Sequence, residues 1–483
     1  MTPESLRAQG ERLNEELGRE AWRAGAGLTA QTRFAEIFER HAEVASDAAW
    51  EAARAVPALT EWVADNRVGR AVAGLEDRLH AWESAAVVTL PDGERRPFQG
   101  VGIAIANAPD RSRRLTLDRA RRAVLAEPTA LRGARLAAEA EVLDRLTGLG
   151  VVEARAKLSG MDLDGLAAQC DVFLGRTTDL YRDALGERLR AIGVRASEAH
   201  RTDGAFLFRG AAFDGWFDGA ALVPTARRQA GEMGLDVEAA GRVHLDTEDR
   251  ERKRPRAFCA PVRVPAEVHL VIRPHGGYVD WRAFWHELGH ALHFANAGTD
   301  LPFEHRWLGD TSVTECYAML FEHALMMAPW LRRYTALRGA DLERFLREQA
   351  FAQLAIVRRY AAKLRYEIAL HRARSLAEGA QRYAEVLTDA TGFRYEDEDA
   401  FLDLDDGFYS ARYLRAWQLE AILRETLVER LDEDWFRNPR TGPVLLELFR
   451  RGQRDDADAL ARSVVGTPLG FGPLTRQVEA ALA

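Results

Sequence analysis

Cysteine is scarce: Cys170, Cys259 and Cys316 are the only three in 483 residues. They are widely spaced and odd in number, which argues against a disulfide framework or a thiolate zinc site. A reducing compartment is therefore the expectation, with each cysteine a small buried residue. No stretch is long and apolar enough to span a membrane. Met1-Thr-Pro-Glu-Ser runs into a charged helical pattern with no apolar leader. These absences lead us to expect a cytoplasmic protein with no membrane partner. A basic excess is missing too. The net charge is −8, which argues against a nucleic-acid partner. There is no fixed-period repeat and no low-complexity linker.

What is there suits a large globular chain. It is 47% hydrophobic and 29% charged, and long enough for two or more lobes. Helical patterns over 3–23, 30–55, 59–84, 116–126, 129–148, 151–157 and 163–193 suggest a helical lobe over 1–204. Ala85–Leu90, followed by Pro91-Asp92-Gly93, reads as a short strand and turn. Near residue 200 the texture changes, and we take 205–483 as a second domain. Ala205-Phe-Leu-Phe-Arg-Gly reads as extended. Strands are expected at 257–264 and 267–273, the second alternating Val268, Leu270 and Ile272 against Glu267, His269 and Arg273. Helices return over 311–328, 330–337, 341–378, 380–389, 408–431 and 441–463.

Histidine is also sparse, at 12 in the chain. Yet His286-Glu287-Leu-Gly-His290 places two of them four residues apart. A chance match to this pattern is about a one-in-fifty event. On a helix both imidazoles project from one face and can give two nitrogens to one zinc ion. Glu287, next to the first histidine, can act as base toward water at the metal's open side. Trp281, Phe284, Trp285, Leu288, Ala291, Leu292 and Phe294 leave little of this helix polar, so its histidines need partners or a metal.

A third protein ligand is required. Asp300, Glu304, His305, Asp310, Glu315, Glu322 and His323 all lie downstream. Glu315 is best placed, because it opens an otherwise apolar helix, with Glu322, Asp310 and His305 as alternatives. Glu322 lies seven residues later on the same face and suits an acceptor for a ligand histidine. His293, three residues past His290, could line the site. Pro274-His275-Gly276-Gly277 closes the second strand, and an exposed edge of that strand around His269–Arg273 could pair with an extended peptide.

His286-Glu-Leu-Gly-His-Ala-Leu-His293 resembles the signature of the thimet oligopeptidase and oligoendopeptidase F family of zinc metallopeptidases. Glu315 follows His290 at the family's spacing, and Glu315 to Glu322 repeats its two glutamates. Gly407-Phe-Tyr409-Ser-Ala-Arg-Tyr413-Leu-Arg-Ala-Trp417 resembles its tyrosine-rich segment. The resemblance covers roughly residues 205–470. Two departures stand out: Asp403-Leu-Asp-Asp lacks a histidine that members often carry, and Ala416 stands where some have a third tyrosine.

The resemblance implies a mainly α fold, a two-lobed, neurolysin-like helical zincin with a small β-sheet beside the active-site helix and a deep substrate channel. It implies one Zn2+ per chain on His286, His290 and Glu315, with Glu287 as base and Tyr409 or Tyr413 as oxyanion donor. Glu322 and His293 would support the ligands. His275, Gly276 and Gly277 either come close to the substrate or form a plain turn, the turn being the stronger reading. The implied activity is hydrolysis of short unstructured peptides by an endopeptidase. One rival is a metallocarboxypeptidase, which would need an arginine such as Arg358, Arg359, Arg412 or Arg415 for the substrate's terminal carboxylate. Another is a zinc-containing protein that binds peptides without cutting them.

Overall fold

The computed structural model describes residues 1–482, the side chain of Val465 excepted. Among the described residues it is mainly helical, as expected, with five short strands. The chain forms two compact units that interleave along the sequence rather than dividing once near residue 204. The first unit comprises 1–63, 211–350 and 412–481; the second comprises 64–210 and 351–411.

In the first unit the opening helix, Pro3–Gly25, starts from a capping box in which Thr2 and Ser5 satisfy each other's backbone amides. Leu6 and Leu13 on its inner face pack with Ile37, Val44, Leu59, Trp62 and Phe303. This is why residues far from the histidine motif in sequence belong to the same unit: their apolar stripe has its partner there.

In the second unit, β1 (Val87–Thr89) and β2 (Arg95–Pro97) form an antiparallel hairpin, the strand and turn expected at Pro91-Asp92-Gly93. Val88 and Leu90 pack on Val101, Ile105 and Leu117. Ala205-Phe-Leu-Phe is not extended. It lies in the helix Arg201–Arg209, started by a capping box between His200 and Asp203. The local cap outweighs the β-leaning composition of the Phe-Leu-Phe run.

The sheet beside the histidine motif has three strands: β3 (Val243–Asp246), β4 (Phe258–Arg263) and β5 (Glu267–Val271), in the order β3-β5-β4. The last two match the expected strands. β3, unanticipated, pairs parallel to β5 with His244 opposite His269. β4 pairs antiparallel on the other side, with Cys259 opposite Leu270. β5 is therefore the central strand, and neither of its edges is open to a peptide over residues 268–271. That overturns the peptide-pairing expectation for His269–Arg273 and leaves β4 as the strand at the sheet edge nearest the motif. Pro261 sits on β4, the kind of strand that tolerates a missing amide donor.

Candidate metal centre

The helix Tyr278–Ala295 carries the motif. Its start is fixed by a carboxylate: Asp280 Oδ2 accepts the His275 and Gly276 amides at 2.8 and 3.0 Å. Gly276 and Gly277 both have φ of 89°, a region costly for residues with a Cβ. A Cβ on Gly277 would also meet Asp214 Oδ1 at 2.6 Å. His275, Gly276 and Gly277 thus form the turn that launches the ligand helix.

The helix's far face is held by indoles. Trp281 stacks on Trp285 at 5.1 Å, and Trp330 meets Trp285 edge-on at 5.6 Å. Trp285 and Trp330 both donate to Gln229 Oε1, at 2.7 and 2.8 Å. A buried amide oxygen satisfied by two buried donors leaves this face little freedom to rotate.

The opposite face packs on the helix Thr311–Ala324. Gly289 makes this contact possible. A Cβ there would lie 2.6 Å from both Ala318 Cα and the Tyr317 carbonyl. Neither is a flexible side-chain end, so Gly289→Ala must push the helices apart. We expect it to cost about 1–3 kcal/mol in a thermal or denaturant melt. An unchanged melt would contradict this packing.

Across that contact the donors converge. His286 Nε2 and His290 Nε2 lie 3.3 and 3.5 Å from Glu315 Oε2. Among the described residues, His286, His290 and Glu315 alone bring three such donor atoms within 4.8 Å of one another. Two donors each about 2.1 Å from one tetrahedral ion would be about 3.4 Å apart, so the trio fits zinc. The outer nitrogens are already committed. His286 Nδ1 meets Glu322 Oε2 at 2.8 Å and His290 Nδ1 meets Thr314 Oγ1 at 2.9 Å. That pattern leaves both Nε2 atoms for a metal.

Glu315 is 3% exposed. Burial opposes its ionisation, but the imidazoles of His290 and His286 outweigh it and hold the carboxyl well below the ordinary range. Glu322 is similarly opposed by burial yet held at about 2 by Arg282 and His286. Glu287 differs. Burial raises its carboxyl, and the nearby imidazoles only partly offset this. Its Oε2 accepts the Cys259 amide of β4 at 2.8 Å. Glu315 therefore sits with the histidines as a carboxylate, whereas Glu287, the carboxyl of the motif itself, faces the sheet edge with a raised proton affinity.

The remaining candidates separate. His293 turns away from the trio: its Nε2 meets the Gly452 carbonyl at 3.2 Å, and its ring packs on Tyr317 and Phe449. Burial pushes its pKa down to about 3, so it is neutral. Glu304 pairs with Arg7 at 2.7 Å, and His323 is kept neutral by burial. Asp310 caps the Glu315 helix through the Ser312 amide at 3.0 Å. It also binds Arg412 and Arg415 at 3.4 and 3.1 Å. Sequence reasoning missed this anchor. It ties the start of the Glu315 helix to the helix Tyr409–Leu431, beside Tyr413. Tyr413 belongs to the unit that holds the trio, Tyr409 to the other.

These features define a helical protein in which two packed helices bring together a three-donor His-His-Glu group that could hold a metal ion. The sequence matches no family model and no curated protein. The fold is similar to that of a 3.1 Å X-ray structure provisionally described as an oligoendopeptidase F. The likeness has a TM-score of 0.60 at 15% identity and covers 92% of this chain and 81% of that one.

Proposed function

We propose that this chain is a zinc-dependent endopeptidase that cuts short unstructured peptides. The observation that carries the reading is the convergence of His286, His290 and Glu315 with Glu287 one residue from the first ligand. The fold likeness to a protein described as an oligoendopeptidase F supports it.

Zinc held by the trio would supply Lewis-acid chemistry, making water acidic near neutral pH and polarising a peptide carbonyl. Glu287 takes the proton of the attacking water and delivers it to the leaving amine. Its raised proton affinity suits a group that must both accept and return a proton. Tyr413, in the same unit as the trio, donates to the oxygen that becomes negative. The β4 edge beside Glu287 is the better candidate to align an extended peptide, since β5 is enclosed.

The arginines a carboxypeptidase would need are engaged elsewhere. Arg412 pairs with Glu61 and Asp310, and Arg415 with Asp458 and Asp310. Arg359 pairs with Asp403. Arg358 donates to the Leu174 and Ala390 carbonyls and to Thr177. This favours internal cleavage over capture of a terminal carboxylate.

The test is mass spectrometry of a random peptide pool. Cleavage should stop on chelation and return with one equivalent of zinc, and amidated peptides should be cut as readily as those with free C-termini. Undiminished cleavage after complete metal removal would refute the reading.

A further inference from the structure

Arg282 lies one turn before His286 on the ligand helix, so the two side chains share a face. Both reach the same carboxylate. Arg282 Nε donates to Glu322 Oε1 at 2.5 Å, while His286 Nδ1 donates to Glu322 Oε2 at 2.8 Å. Glu322 comes from the neighbouring helix Thr311–Ala324 and is largely buried, its side chain 12% exposed. One carboxylate thus has each of its oxygens held by a different residue of one helix.

We infer that Arg282 is a positioning residue for the metal centre, acting on His286 through Glu322. The inference rests on the zinc reading above and concerns how this chain prepares its first ligand. A carboxylate held at one oxygen can still turn about its terminal torsion, which is broad and roughly two-fold. Held at both oxygens, its plane is fixed, and so is the direction from which it accepts the His286 proton. That fixes the Nδ1–H tautomer of His286 and aims Nε2 at Glu315 Oε2, 3.3 Å away.

The second ligand is held differently. His290 Nδ1 meets the neutral hydroxyl of Thr314 at 2.9 Å, and no cation stands behind that contact among the hydrogen bonds of His290 and Thr314. The two imidazoles therefore have unlike supports. His286 is backed by a carboxylate–guanidinium pair, and removing the guanidinium leaves a largely buried carboxylate with a single donor, an unfavourable state for a charged group.

The experiment measures zinc affinity by chelator competition, together with the visible absorption spectrum of the Co(II)-substituted protein. The variants are wild type, Arg282→Met, Arg282→Gln, Arg282→Lys, Glu322→Gln and the double variant Arg282→Met/Glu322→Gln. Loss of a group that orients a metal-bound histidine weakens metal binding by about 10–100-fold. Arg282 acts one step further out, so its loss should weaken zinc binding by about tenfold and shift the Co(II) bands, with partial recovery in Arg282→Lys. The discriminating result is the double variant: with Glu322 already neutral, Arg282→Met should add almost nothing. Unchanged zinc affinity in both Arg282→Met and Arg282→Gln would overturn the assignment. So would an equal, additive loss in the Glu322→Gln background, since Arg282 would then act independently of Glu322. Failure of the wild type itself to bind zinc would instead refute the zinc reading, which keeps the two failures distinct.

Discussion

Glu287→Gln should abolish peptide cleavage while leaving zinc bound. A positioned acid–base group contributes about 10²–10⁴-fold to such a reaction, and in the proposed mechanism this carboxylate serves twice, first as base and then as acid. A loss of at least about a thousandfold in kcat/KM is therefore expected. The substitution is structurally mild. The amide oxygen of glutamine can still accept the Cys259 N–H that Glu287 Oε2 accepts at 2.8 Å. What disappears is the ability to bind a proton. Because Glu287 is largely buried and its carboxyl is raised by that burial, a neutral side chain should cost little stability there, and the melting temperature should hold or rise. The measurement pairs zinc content with the peptide-pool assay. A variant with full zinc that cuts as fast as wild type would remove Glu287 from the mechanism, and the ligands would then need a different partner for water.

How far the site was readable depended on how local its geometry is. His286, Glu287 and His290 are set by helix periodicity, so five consecutive residues suffice to relate them. Glu315 and Glu322 were readable because they are acids on an otherwise apolar helix, and seven residues bring them back to one face. The structure places Glu322 on His286, as the spacing suggested. His293 misled because spacing gives a face and not its neighbour. The residue across from it is Gly452, contributed by a distant segment whose backbone carbonyl leaves no mark in the sequence.

β5 misled for a similar reason. Its alternation showed a buried face, yet whether a strand is an edge depends on its neighbours. The neighbour missed was β3, a four-residue strand paired in parallel from more than twenty residues upstream. The interleaving of the two units was likewise hidden, because an amphipathic helix such as Pro3–Gly25 shows that it has an apolar face without showing what covers it. Asp310 shows the limit most clearly. Its capping role for the Glu315 helix is local, but its arginine partners lie about a hundred residues away.

Glu315→Ala should remove zinc outright, and the comparison with Glu322→Ala makes the result decisive. Zinc bound by a four-ligand protein site is worth about 10–16 kcal/mol, so one ligand of this kind accounts for about 3 kcal/mol, roughly a hundredfold or more in affinity. Equilibrium dialysis against zinc should then leave Glu315→Ala empty at concentrations that saturate the wild type, with cleavage lost in parallel. Glu322→Ala should lose affinity by only about 10–100-fold, since it removes a group that orients His286 and leaves all three donors in place. The metal-free protein gives an independent check. Despite the cost of burial, the two imidazoles hold the Glu315 carboxyl well below its ordinary 4.5. Its pairing therefore stabilises the fold fully above about pH 4.5 and less as pH falls toward the lowered value. Metal-free wild type should lose melting temperature over that acid range more steeply than metal-free Glu315→Ala. If instead Glu322→Ala proved the empty variant and Glu315→Ala retained zinc, the ligand and its supporting acid would be exchanged. Arg282 would then stand beside a ligand carboxylate, and the distances of 3.3 and 3.5 Å from Glu315 to the two histidines would describe a charge pair only.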